Sequence, residues 1–236
     1  MASLYDTLHG RLGYGNIYEG IVSQGPTEVQ GWVTAYYPQS LREYLSIRPV
    51  EEELVIVELG TWKGASAIQA ANIVRDLGRR DVVICVDTWL GSPEHFHGIP
   101  KRAGFPTIYY EFLQNVVNHG HEGRILPIAL PTLQAVEVLR GVLADRGAAG
   151  PGAAGPGADV IYVDAAHEYL PVYLDIMHYW PLLRPSGRML GDDYTAHWPG
   201  VRRAVDQFFA ENKIPVEILN EWVWKADKPS SISSPE

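Results

Sequence analysis

A chain of 236 residues with 46% hydrophobic content can bury one substantial core and leaves little room for a second full domain. Its formal charge of -9 argues against an electrostatic grip on nucleic acid, which needs a basic stripe to displace counterions from phosphates. No apolar run is long enough to cross a bilayer, the N-terminus lacks a secretory pattern, and the single Cys85 sits in an apolar run, so a cytoplasmic protein without a membrane span or disulfide framework is expected.

From about Thr27 to Ser46, aromatic and aliphatic residues recur at helical spacing behind Thr27 and Glu28, a cap and a first-turn acid. Residues 1–50 are therefore expected to form an N-terminal helical segment or lid, and residues 51–228 the main domain. Leu54 to Glu58 is a short apolar run ending in an acid, followed by Gly60, Gly64 and a stretch rich in Ala and Ile, which predicts strand, tight turn and helix. Further strands are expected at Val82 to Val86, closing on Asp87, and at Ile125 to Ala129, after a helix around Tyr109 to His119. Residues 147–157, GAAGPGAAGPG, are low in complexity and helix-breaking, and predict a flexible surface loop within the same domain. Next come a strand at Val160 to Val163, a helix ending near Leu183, a turn at Pro185 to Gly187, a strand at Arg188 to Gly191 and a helix from about Val201 to Asn212. The last two runs, Val216 to Leu219 and Trp222 to Ala226, lie too close together for a parallel crossover and must pair as a hairpin. Residues 229–236 are expected to be a disordered tail. The pattern is that of an α/β domain with an open, mostly parallel sheet, helices on both faces and an antiparallel C-terminal hairpin.

Residues 57–66 read VELGTWKGAS, and glycines in such a turn let the backbone approach a ligand at a helix N-terminus that offers free N–H groups. The spacing E-x-G-x-x-x-G departs from the dinucleotide fingerprint G-x-G-x-x-G, and the lysine and hydroxyl pair of a P-loop is missing. A carboxylate at Glu58 repels a pyrophosphate and welcomes a cationic amino-acid ligand. Asp87, closing the second strand about 25 residues past the turn, is placed to accept hydrogen bonds from ribose hydroxyls. Either acid alone is equally well explained as a turn cap; the pair favours an adenosyl ligand.

Asp164 follows the strand Val160 to Val163, and Asp192 with Asp193 follows the strand ending at Gly191, so the three carboxylates fall at the C-terminal edge of a parallel sheet, where ligands bind. Unpaired, they would repel one another, whereas a hard divalent cation would neutralise them, with Mg2+ the first choice. An ordinary polar turn would account for an isolated DD pair. His167 lies three residues beyond Asp164, about one helical turn, and an imidazole titrating near ~6.5 can remove a hydroxyl proton. His95, His97 and His197 have no comparable partner in the sequence.

VELGTWKGAS followed by VDTWLGS resembles motif I and the next strand of the class I S-adenosylmethionine methyltransferases. VDAAHEY and LLRPSGRMLGDDY resemble the metal-dependent O-methyltransferases of natural products, the macrolide-sugar type among them. The resemblance runs from about Leu54 to Tyr194 and implies a Rossmann-like, seven-stranded fold and S-adenosylmethionine as cofactor. It implies cofactor binding by Glu58, Gly60, Thr61, Gly64, Asp87 and Thr88; Trp89 is placed either at the adenine or the substrate or, equally, as a structural tryptophan. It also implies Asp164, Asp192 and Asp193 as ligands of Mg2+ or another divalent cation, and Asp164 and His167 as catalytic residues, His167 being the base. The implied substrate is a small molecule bearing a hydroxyl beside a second oxygen.

Residues 91–110, GSPEHFHGIPKRAGFPTIYY, are the expected substrate-facing loop, and the aromatic N-terminal segment offers a surface on which a second copy could pack as a homodimer. Two other readings share the sheet and turn: an NAD(P)-binding oxidoreductase, against which Glu58 speaks, and a non-catalytic nucleotide-binding protein.

Overall fold

The structure is a computed structural model that describes residues 2–93, 95–144 and 157–230. Strand β1 (Val55–Leu59) is buried along its whole length, and its side chains alternate between two cores. Val55, Val57 and Leu59 enter one core, and Leu54 and Ile56 the other, as the two-residue repeat of a strand with both faces covered requires. One face carries α1 (Leu4–Arg11), α5 (Thr132–Ala144), α6 (Tyr169–Tyr179) and α7 (Pro199–Glu211). The other carries α2 (Tyr36–Ser46), α3 (Ala65–Asp76) and α4 (Ile108–Asn118).

The remaining strands are β2 (Val82–Asp87), β3 (Lys101–Arg102), β4 (Phe105–Pro106), β5 (Ile125–Ala129), β6 (Ala158–Val163), β7 (Leu183–Gly191), β8 (Glu217–Ile218) and β9 (Trp224–Asp227). Seven of the nine form one sheet in the order β5-β2-β1-β6-β7-β9-β8, and β3 and β4 make a separate small hairpin. Pairing is parallel from β5 through β7 and antiparallel at β7–β9 and β8–β9. This is the Rossmann-like architecture expected of the chain, including its C-terminal hairpin. At the opposite edge from the ligand end, buried carboxylates anchor β1: Asp81 accepts the Leu54 N–H at 2.9 Å and Asp159 the Val55 N–H at 2.7 Å, with Arg79 2.6 Å from Asp81. No helix among the described residues is long and apolar enough to cross a membrane.

Several boundaries differ from expectation for local reasons. The helix expected from Thr27 begins only at Tyr36, and residues 21–34 run without regular structure. A side chain at Gly31 would put its Cβ 2.6 Å from that of Ala65, so this segment is pressed against the start of α3 rather than coiled into a helix. Helix α1 lies within the expected N-terminal helical segment but ahead of the helix placed from Thr27; Ser3 and Asp6 form its capping box, a signal present in the sequence. The helix expected to reach Leu183 stops at Tyr179 and tightens into a 3-10 turn at Trp180–Leu182, where Pro181 lacks the N–H that would continue it. Strand β7 already starts at Leu183, and the Pro185–Gly187 turn is an irregularity within it, with Ser186 at φ 61° and a register shift against Ala158 and Val160. Helix α5 and the β3–β4 hairpin were also not anticipated. The loop expected at 147–157 lies outside the described residues except for Gly157, as does the tail beyond Ser230.

Candidate active site

At the C-terminal edge of the parallel strands lies a cavity of about 980 Å³. Its walls come from the turns after β1, β2, β5, β6 and β7, with the N-terminal segment closing one side. Gly60, Thr61, Asp87, Thr88, Asp164, His167, Asp192 and Asp193 all border it. Glu58, Gly64 and Trp89 do not, and act on its shape from behind.

The turn after β1 depends on two left-handed glycines, Gly60 at φ 85° and Gly64 at φ 92°. Gly60 is packed so closely that a Cβ there would sit 2.0 Å from the Asp164 carbonyl oxygen, so the glycine turn and the aspartate strand touch through backbone. Asp87 holds the turn: its Oδ2 accepts the N–H groups of Thr61 at 2.9 Å and Trp62 at 2.8 Å, and Oδ1 accepts that of Trp89 at 2.7 Å. Burial pushes the Asp87 carboxyl up, against these N–H groups, which favour its charged form. Trp89 is buried against Tyr109 and Phe112, at ring separations of 5.0 and 4.9 Å, and its indole N–H donates to the Trp62 carbonyl at 2.7 Å. The structure thus directs Trp89 into the packing beneath the turn.

Strand alternation sends Glu58 to the α3 side, with Leu54 and Ile56, where the Ser66 hydroxyl donates to its Oε1. Its Oε2 has no hydrogen-bond partner, and burial pushes the carboxyl up to about 8. A group whose pKa rises on folding contributes stability that is present below its ordinary range and lost as pH climbs through the folded value. The ligand-free protein is therefore expected to melt at progressively lower temperature between about pH 4.5 and 8. Glu58→Gln should flatten part of that fall and raise Tm at pH 8 by at least ~3 °C; scanning calorimetry across this range would count against the assignment if both proteins fell in parallel.

Asp164 is pushed well above the carboxylate range, by burial first and then by the charges of Asp192 and Asp193. Burial also raises Asp192 to about 6, opposed by the Asp193 N–H at 2.9 Å and by the Tyr162 hydroxyl, which donates to Oδ2 at 3.0 Å. Asp193, at φ 62°, brings its Oδ2 to 3.0 Å from His167 Nε2. The His167 ring stacks on Trp198 with centroids 4.0 Å apart. Three hard oxygen donors that border one cavity, two of them raised by burial and by neighbouring negative charge, suit a divalent cation chemically. Among the described residues, however, no three His, Cys, Asp or Glu side chains are gathered as a metal-binding group.

The structure adds residues that the sequence did not single out. Ser66 borders the cavity and links it to Glu58. Gly31 and Trp32 come from the N-terminal segment, Thr132 from the start of α5, and Asp175 from α6. Of the expected substrate loop, Gly91, Ser92 and His95 border the cavity, while Phe105 and Tyr110 are exposed. His95 stacks on Trp32 with centroids 5.1 Å apart, the partner it lacked in the sequence.

A family model described as a methyltransferase domain matches residues 57–194, more than half of the chain. No curated protein sequence matches at a significant level. Among solved structures, the chain is similar to the O-methyltransferase NovP, with TM-score 0.63 and 14% identity over 96% of this chain and 98% of that one. It is similar to the calicheamicin methyltransferase CalS11, with TM-score 0.58 and 16% identity over 81% and 77%. It is also similar to an O-methyltransferase from Bacillus cereus in complex with SAH, with TM-score 0.56 and 16% identity over 94% and 91%. The chain belongs to the methyltransferase-domain family and is a class I, S-adenosylmethionine-dependent methyltransferase.

Proposed function

We propose that the enzyme transfers the methyl group of S-adenosylmethionine to a hydroxyl of a small molecule. The observation that carries this reading is a single cavity bordered both by the Gly60 and Asp87 turns and by Asp164, His167, Asp192 and Asp193. The O-methyltransferases among the similar structures, one of them a TDP-rhamnose 3'-O-methyltransferase, favour a hydroxyl acceptor.

In this reading the Gly60 turn and the Ser66 hydroxyl receive the methionine part of the donor, with Glu58 behind Ser66 favouring its ammonium. Asp87 accepts from the ribose while holding the turn. Asp164, Asp192 and Asp193 would hold a divalent cation, which when bound lowers the pKa of an acceptor hydroxyl that it touches. His167 takes the hydroxyl proton at the ring nitrogen that it does not offer to Asp193, and the carboxylate stabilises the imidazolium that forms. Trp198 fixes the plane of the ring. Alignment and electrostatics are the protein's share, because the sulfonium is already activated.

Release of S-adenosylhomocysteine from S-adenosylmethionine with a panel of sugar diols and catechols tests the reading. Asp192→Ala is expected to lower turnover at least ~100-fold while leaving S-adenosylhomocysteine affinity within threefold, and chelation of divalent ions should do the same to the unaltered enzyme. Full activity in excess chelator would remove the metal from the mechanism, and no turnover with any hydroxyl would remove the acceptor class.

A further inference from the structure

The cavity wall narrows what the methyl acceptor can be. Asp87, Asp164, Asp175, Asp192 and Asp193 border it, and no lysine or arginine among the described residues does. Several cations of the flanking segments are engaged elsewhere. Lys63 lies 2.8 Å from Glu111, and Lys101 Nζ donates to the Ile99 carbonyl at 3.1 Å. Arg202 and Arg203 line a separate surface hollow on α7, over the rings of Tyr194 and Tyr169. The two histidines of the wall are held as well, His167 by Asp193 and His95 by Ser92 and Trp32. A phosphate entering here would meet carboxylates with no guanidinium or ammonium to answer it, whereas a cation relieves their mutual repulsion.

One large aromatic of the wall has nothing stacked on it. Trp222, in the turn between β8 and β9, borders the cavity yet is 46% exposed. Its carbonyl accepts the Tyr194 N–H at 2.7 Å, which ties it to the segment of Asp192 and Asp193, away from the Gly60 turn. Asn220 Oδ1 accepts the N–H groups of Trp222 at 3.3 Å and Val223 at 3.0 Å, so the turn that presents the indole is fixed. Trp198 lies on His167 and Trp32 on His95, but Trp222 has no ring partner among the described residues. An open indole beside a group of acids suits a ring that carries a cation: the ring covers apolar surface, and the positive charge is drawn both to the π face and to the carboxylates.

We propose that Trp222 is the platform on which the acceptor lies and that the acceptor is a ring bearing an amine and free of phosphate, an inference that rests on the methyl-transfer reading given above. Two matched series test it, with release of S-adenosylhomocysteine as the readout. Dopamine, 4-ethylcatechol and 3,4-dihydroxyphenylacetate share one catechol and end in an amine, a methyl and a carboxylate. Methyl glucoside and its 6-amino-6-deoxy and 6-phosphate forms make the same comparison on a sugar diol. In a series that turns over, kcat/KM is expected to be at least ~10-fold higher for the amine than for the neutral compound, and lower again for the anion. Trp222→Ala should raise KM for the amine at least ~5-fold while kcat and S-adenosylhomocysteine affinity stay within about threefold, and Trp222→Phe should recover most of the loss. Equal rates across the charges, or a preference for the anion, overturn the amine assignment, and an unchanged KM in Trp222→Ala overturns the platform. Both results leave methyl transfer intact. Absence of release from every compound overturns the methyl-transfer reading and the inference with it.

Discussion

Replacing His167 with alanine is expected to lower kcat by about 10²- to 10⁴-fold, the usual contribution of a positioned general base. The affinity for S-adenosylhomocysteine should stay within threefold, because His167 stands with Asp193 and Trp198 rather than at the Gly60 turn. The geometry makes the loss specific. Asp193 is 3.0 Å from Nε2 and Trp198 stacks on the ring face, so the imidazole has one orientation and a carboxylate ready to stabilise its charged form. Alanine removes the proton acceptor and leaves Asp193 without this partner. Steady-state kinetics with a responsive diol, paired with calorimetric titration of S-adenosylhomocysteine, separates the effects. A kcat within threefold of wild type would assign His167 to packing, and a matching collapse of cofactor affinity would make it structural.

Gly60→Ala is expected to be the most damaging glycine-to-alanine change among the described residues. The added Cβ would lie 2.0 Å from the Asp164 carbonyl oxygen and 2.6 Å from the Ala165 Cα, at a φ of 85°. Backbone cannot swing aside as a flexible side chain can, so overpacking adds to left-handed strain for about 3–5 kcal/mol. In a chain of this size that corresponds to a fall in Tm of roughly 10 °C or more. Gly78 provides the control, since it has φ +66° with nothing within 4 Å of its Cβ. Gly78→Ala should show the strain alone, a shift of about 2–4 °C. Calorimetric melting of the two variants measures the difference, and equal shifts would mean that the contact with Asp164 does not matter. Because the clash pushes on Asp164 and Ala165, the Gly60 variant that remains folded should also bind S-adenosylhomocysteine at least tenfold more weakly.

Much of the scaffold could be read before any coordinates, because its signals are local. Apolar runs ending in Glu58, Asp87, Asp164 and Asp192 announced parallel strands whose acids share one edge, and these residues do lie on or behind one cavity. The two-residue repeat of β1 even carries Glu58 to the side where Ser66 meets it. Trp89 shows the limit: beside Asp87 in the sequence it suits a ligand contact or a structural role equally, and the backbone at φ 52° buries the ring beneath the turn.

The residues missed share a different cause. Ser66, Asp175 and Tyr162 matter through the face they turn inward, and that face is chosen by packing between segments far apart in the chain. Residues 21–34 carry helical spacing, but their path follows the close contact of Gly31 with Ala65, which no local pattern encodes. His95 had no partner in the sequence and acquires Trp32 in space. The order of strands and helices, the glycine turn and the acids at the strand ends are written in the chain locally, since each follows from backbone preferences over a few residues. Which side chains wall the cavity, which acids face partners and which polar atoms are left without one emerge with the folded packing, because contacts between distant segments and their burial set them.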